Sequence, residues 1–280
     1  MLYPNLTVLF KDPSFIYLAT ILPPILLGIA VWKSDRFPEP GKFLISSFLL
    51  GVSIYLPLDF LIMITEDHLA RFIGLNLDGD NTSYRGGERA FMHFFRAAFL
   101  EEGIKFALLI FICVRLSDLN EPMDAIVYGA AIGLGYAAME NIPYLNTGDP
   151  QTAWTMTAVK ARYYPLMMHL GFGVIMGWLL SQNLFEERNN FKRKLMLILS
   201  LLIPVLFHGT YNYLGAYDVW PILTTLMVIG IIYYYRRDQL KKITESVDKA
   251  KVENLDVLYT YLITLFFVSV VVLSAIFVNL

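Results

Sequence analysis

Between Phe91 and Leu116 the chain carries an apolar run long enough to cross a bilayer, and Glu101-Glu102-Gly103-Ile104-Lys105 stands in its middle. A charge near the bilayer centre costs at least ~2.5 kcal/mol even on the mildest insertion scale. Two adjacent carboxylates also repel each other. Such a cluster persists only where it faces other helices or water. The stretch therefore demands a bundle of helices around it and marks where in that bundle chemistry is to be sought.

The rest of the sequence supplies the bundle. Of 280 residues, 56% are hydrophobic and only 16% charged, against about 25% charged in soluble domains. The fold class is all-α, a polytopic transmembrane bundle. Eight spans are expected, at Ser14–Trp32, Phe43–Ile64, Phe91–Leu116, Met123–Leu145, Tyr163–Gln182, Leu195–Ala216, Val219–Tyr235 and Val257–Asn279. Pro23-Pro24 should kink the first. Pro57 and Asp59 lie near the far end of the second. The connections are too short for a soluble domain, so residues 1–280 read as one integral membrane domain. No cleaved signal peptide is expected, because Met1–Lys11 lacks a basic stretch followed by a long apolar core.

Lys and Arg in the loops set the orientation. Loops after odd-numbered spans hold fourteen of them and those on the other side six. The odd loops therefore belong in the cytoplasm, and both termini outside. Glu101 then lies about 15 Å along its helix from the outer end. Glu140-Asn141, His169 and the pair His208 and Asn212 lie on three further spans in that same outer half. This convergence of four helices argues for one shared site.

The chemistry follows from residue type and spacing. Glu101, Glu102 and Lys105 fall within about a 100° arc of one helix. Lys105 can neutralise one carboxylate while the other serves as general base on water. A salt bridge that only locks helices is the structural alternative. His208 and Asn212, one turn apart, are suited to bind a developing oxyanion, or to hydrogen bond across helices. His169 shares a face with Gly173 and Gly177, which favours close helix approach. Glu140 and Asn141 follow Gly129, Gly133 and Tyr136, and read as orienting groups, metal ligands or packing hydrogen bonds. His169, His208 and one glutamate, Glu140 among the candidates, would make a His₂Glu zinc set. Without a zinc ion, two glutamates acting on water require no cofactor.

Other features read more plainly. Cys113, the single cysteine, is a small apolar residue with no disulfide partner. Gly129–Gly135 lies inside a span and is no nucleotide loop. Asp78-Gly79-Asp80-Asn81 lacks the glycine and terminal glutamate of a calcium loop. His68, His93 and Arg96 are expected to snorkel at the outer interface. The basic run Arg236–Lys251 reads as an anchor against anionic lipid. A net charge of −2 offers nothing to nucleic acid.

Glu101-Glu102-x-x-Lys105, Tyr136-x-x-x-Glu140-Asn141, His169 and His208-x-x-x-Asn212 together resemble the ordered motifs of the PrsW family of intramembrane proteases, distant relatives of the CAAX prenyl proteases and bacteriocin-processing enzymes. The resemblance spans about Phe91 to Leu214. It implies hydrolysis of a peptide bond in a membrane-anchored protein, with an anti-sigma factor cut on its extracytoplasmic side as the expected substrate. It also implies catalytic roles for Glu101, Glu102, His169, His208 and Asn212, supported by Lys105, Glu140 and Asn141. A proton-coupled transporter or membrane scaffold using the same carboxylates is the rival reading. Such transporters often carry internal repeats, and the sequence has none.

Overall fold

The computed structural model describes residues 13–77, 84–111, 115, 119–145, 162–185, 189–215 and 219–243. Among these residues the chain is helical, without strands. The helices are α1 (Pro13–Ser34), α2 (Gly41–Ser53), α3 (Tyr55–Ile64), α4 (Gly86–Ala90), α5 (Leu100–Phe111), α6 (Pro122–Leu145), α7 (Tyr163–Leu184), α8 (Asn190–Leu214) and α9 (Trp220–Ile243).

Local chemistry sets the breaks. α1 runs unbroken through Pro23 and Pro24. The expected second span is divided at Ile54, three residues before Pro57, which has no N–H for the Ser53 carbonyl. A π-helical turn, Thr65–Ala70, continues α3, and Gly74 at φ 79° closes that end. A second π-helical stretch, Phe91–Phe99, joins α4 to α5 and widens the helix just before Glu101. Such widened turns recur at functional sites. The Asn189 side chain accepts the Lys192 N–H at 2.9 Å to start α8, and Gly215 in the left-handed region ends it.

α6 is the hub. Its residues from Met123 to Ala137 are buried almost without exception. Glycines set how closely its neighbours approach. A Cβ on Gly129 or Gly133 would strike the carbonyl of Gly173 or His169 on α7, and one on Gly177 would strike that of Ala125. Gly51 and Gly135 make the same backbone contact between α2 and α6. α1 and α9 close one flank through Leu27, Val31, Val228 and Ile232. α8 packs on α7 and on Phe91–Phe99, where Gly209 lies under the Phe94 ring. Leu22, Ile29, Leu49, Ile198, Leu202 and Leu206 face outward, as a lipid-facing surface requires.

Among the described residues four helical stretches are long and apolar enough to cross a membrane: Gly41–Ala70, Pro122–Tyr144, Tyr163–Leu184 and Asn190–Leu214. The expected span Val257–Asn279, Cys113, Asp78-Gly79-Asp80-Asn81 and most of the basic run after Arg237 lie outside the described residues. Arg96 does not simply snorkel: it pairs with Glu66 of the first π-helical turn. His93 packs edge-on against Tyr213 at 6.0 Å.

Candidate active site

Helix α5 turns Glu101, Glu102 and Lys105 into the protein. Their relative exposures of 8%, 0% and 1% leave none of them facing lipid. Gly103, between them, has open space beside it, so the polar arc of the helix points inward as its spacing required. Glu102 is the anchor. Its Oε1 accepts from Lys105 Nζ at 2.8 Å and from His208 Nδ1 of α8 at 3.0 Å.

Lys105 Nζ also donates to His169 Nδ1 on α7, 3.0 Å away. That fixes the tautomer: His169 carries its proton on Nε2 and donates it to Glu140 Oε2 of α6, at 3.2 Å. Glu140 in turn is held by Arg162 Nη2 at 2.7 Å, while Arg162 Nε donates to Asn141 Oδ1 at 2.8 Å. The guanidinium lies 4.1 Å from the centre of the Tyr144 ring. A continuous polar chain thus runs Arg162–Glu140–His169–Lys105–Glu102–His208 through four helices and the residue that precedes α7.

Aromatic rings wall the chain. Phe172 stacks on His208 at 5.2 Å, Tyr136 meets His169 edge-on at 5.1 Å, and Lys105 lies 4.3 Å over the Tyr136 ring. The two imidazoles meet at 80° with centroids 5.4 Å apart. They do so because Gly133 lets α6 touch the backbone of α7 at His169, and Gly209 lets α8 approach the Phe94 ring.

One donor atom each from Glu101, Glu102, His169 and His208 lies within 4.8 Å of the others, all buried. Oε2 of Glu101 and Oε2 of Glu102 are buried without a hydrogen-bond partner. His208 Nε2 faces the first of these at 3.9 Å. Two carboxylates and two imidazoles with unsatisfied oxygens are a donor set that fits a zinc-class ion. His169 Nδ1, the ring nitrogen that faces Lys105, would be the one to serve such an ion.

Most of the residues singled out in the sequence meet here, although some fall short of the core. Asn212, one turn beyond His208, is half-buried and makes no side-chain hydrogen bond among the described residues. Glu140 stands behind His169 and outside the group of possible metal donors. Arg162 did not stand out in the sequence, where it reads only as a loop charge. Its position seven residues before His169, two turns along the same rod, was the available signal. The Phe172 ring likewise reads only as apolar until α7 and α8 are packed.

The fold and site define a helical membrane protein with a buried glutamate–histidine centre. Residues 39–236 match the family described as PrsW family intramembrane metalloprotease. The chain belongs to that family. Similar relatives are Protease PrsW of Oceanobacillus iheyensis, 32% identical over 81% of this chain and 95% of its own length, and Protease PrsW of Clostridioides difficile, 28% identical over 86% and 96%. Protease PrsW of Bacillus subtilis is 32% identical over 72% of this chain and 84% of its own. No solved structure matches.

Proposed function

We propose that the chain is an intramembrane endopeptidase that cuts a membrane-anchored protein at the Glu101–Glu102–His169–His208 centre. The observation that carries this reading is the pair of buried, unpartnered glutamate oxygens beside two histidines from separate helices. A salt bridge that only held helices together would have satisfied them.

Glu102, His169 and His208 would hold a zinc-class ion. Bound there, it would supply a Lewis acid and a water of lowered pKa. Glu101 is the slightly more accessible carboxylate, and its free Oε2 takes the proton from the attacking water. The same Glu101 carboxyl then gives that proton to the leaving amine. Lys105 balances the charge of Glu102. Glu140 and Arg162 fix the plane of the His169 ring. The Asn212 amide, uncommitted in the structure, donates to the developing oxyanion. The site works in the outer half of the bilayer. The loop charges support that placement, and the family resemblance supports an anti-sigma factor as substrate.

The test has two arms. Purified wild-type protein and the Glu101→Gln variant are incubated with a candidate single-span substrate in proteoliposomes. Membrane proteomes of wild-type and Glu101→Ala strains are compared for a single-span protein that stays uncut. Loss of cleavage in Glu101→Gln is expected. Wild-type rates in that variant, or carboxylate-dependent solute uptake without proteolysis, would overturn the reading.

A further inference from the structure

A second acidic group lies far from the first. Asp124 is in the first turn of α6 and Glu140 near its last, sixteen positions or about 24 Å along the helix. Asp35, just past the end of α1, and Glu121, just before α6, join Asp124 there. One carboxylate oxygen from each lies within 4.8 Å of the other two.

We propose that Asp35, Glu121 and Asp124 form a binding site for a hard divalent cation of the calcium and magnesium class.

Three observations carry this. Asp124 is fully buried, and its Oδ2 accepts the N–H groups of Asn120 and Glu121, both at 2.9 Å, while its Oδ1 is buried with no hydrogen-bond partner. Asp35 is 5% exposed, and its Oδ1 accepts from Phe37 N–H and Gln239 Nε2, both at 2.9 Å. The same Gln239 amide donates to Glu121 Oε1 at 2.8 Å. One amide and three backbone N–H groups thus pre-orient three carboxylates toward each other, which costs free energy unless a proton or a cation joins them.

The contacts described above are to N–H groups and one amide, none of them a Lys or Arg side chain. Arg236, the nearby buried cation, gives its Nη1 to the Ser34 carbonyl. None of these contacts supplies a counter-charge, and Asp124 Oδ1 has no hydrogen-bond partner to block a cation.

The donors are all oxygen, with no imidazole or thiolate, which selects the hard cations. Calcium, at about 2.3–2.6 Å from its oxygens, bridges carboxylate oxygens up to about 5 Å apart. Magnesium, at about 2.0–2.1 Å, needs the carboxylates drawn closer. Calcium therefore fits the observed spread first. Such an ion would tie the end of α1, the start of α6 and the end of α9 together, and would act independently of the Glu101–His208 centre.

The full chain in detergent micelles, stripped with EGTA and then dialysed, is titrated with calcium and separately with magnesium by calorimetry. The thermal midpoint is followed in parallel. One calcium per chain is expected, with a rise in the midpoint, unchanged affinity in His208→Ala and at least tenfold weaker binding in Asp124→Asn. Asp35→Asn and Glu121→Gln should weaken it as well, and they decide the matter if Asp124→Asn does not fold. Absence of binding by both cations at millimolar concentration, or undiminished binding in the folded variants, would overturn the proposal. Tighter binding of magnesium than calcium would keep the site and reassign its ion.

Discussion

Glu102 Oε1 and His208 Nδ1, 106 positions apart in the chain, meet at 3.0 Å inside the bundle. The same oxygen takes the Lys105 ammonium at 2.8 Å. A fully buried carboxylate is thereby shared between an imidazole and an ammonium, and its stability depends on both. Lys105→Met removes the charged partner and leaves Glu102 with the imidazole alone. The expected loss is about 3–5 kcal/mol, the range for breaking a buried pair on one side. The double variant Glu102→Gln, Lys105→Met should recover most of it. Denaturant unfolding in mixed micelles checks both values. Equal losses in the single and double variants would contradict the pairing.

The Arg162–Glu140–His169 relay makes a second prediction. Among the described residues Glu140 meets the possible metal donor set through His169, so its loss should disturb the orientation of that ring. Glu140→Gln and Arg162→Gln should each lower cleavage about 10–100-fold, the usual cost of removing a group that orients a ligating histidine. The thermal midpoint should fall as well, since the side chains of Arg162 and Glu140 are only 12% and 15% exposed and losing one partner leaves the other charge largely buried. Zinc content at limiting metal is the readout that separates the two effects. It should fall in both variants, whereas a purely structural ion pair would shift the midpoint and leave zinc content alone.

How much of this was legible beforehand depended on the kind of signal. The inward arc of Glu101, Glu102 and Lys105 could be read from helical spacing, because burying charge in a membrane leaves few alternatives. The close approach of α6 and α7 could be read from Gly173 and Gly177. Which partner each carboxylate would choose could not be read, because Glu140 and Glu102 are equivalent in sequence until Arg162 arrives from the residue before α7. The division of the second span was also hidden. Pro57 was noted near its far end, and the break it causes falls about one turn earlier, at Ile54. The cluster of Asp35, Glu121 and Asp124 escaped notice because Asp35 is remote in sequence, and Glu121 and Asp124 alone read as an ordinary acidic helix start.

Backbone contact under His169 gives the third prediction. A methyl on Gly133 would enter the His169 carbonyl, and neither helix can give way without shifting the other. Gly133→Ala should cost about 1–3 kcal/mol by overpacking and should depress cleavage further than stability alone explains, since it displaces the imidazole. Gly103→Ala is the control, with nothing within 4 Å of the added carbon. It should leave stability unchanged or raise it by about 0.5–1 kcal/mol through helix propensity. A neutral Gly133→Ala would mean that α6 and α7 do not touch there.

The donor set of the active site gives the last prediction. Glu101 and Glu102 each hold a buried oxygen with no partner, and His208 Nε2 lies 3.9 Å from the Glu101 one. If a zinc-class ion belongs among them, a strong chelator should abolish cleavage, and stoichiometric zinc should restore it. His208→Ala and His169→Ala should purify with less than a tenth of the wild-type zinc. Glu101→Gln should keep its zinc while losing the reaction, because its role is to accept the proton from water. Elemental analysis of the three variants, paired with cleavage assays, distinguishes these roles. Full activity in metal-free protein would instead assign the chemistry to the two glutamates, with Lys105 and His208 beside them. Zinc lost from Glu101→Gln would move that residue from proton acceptor to ligand.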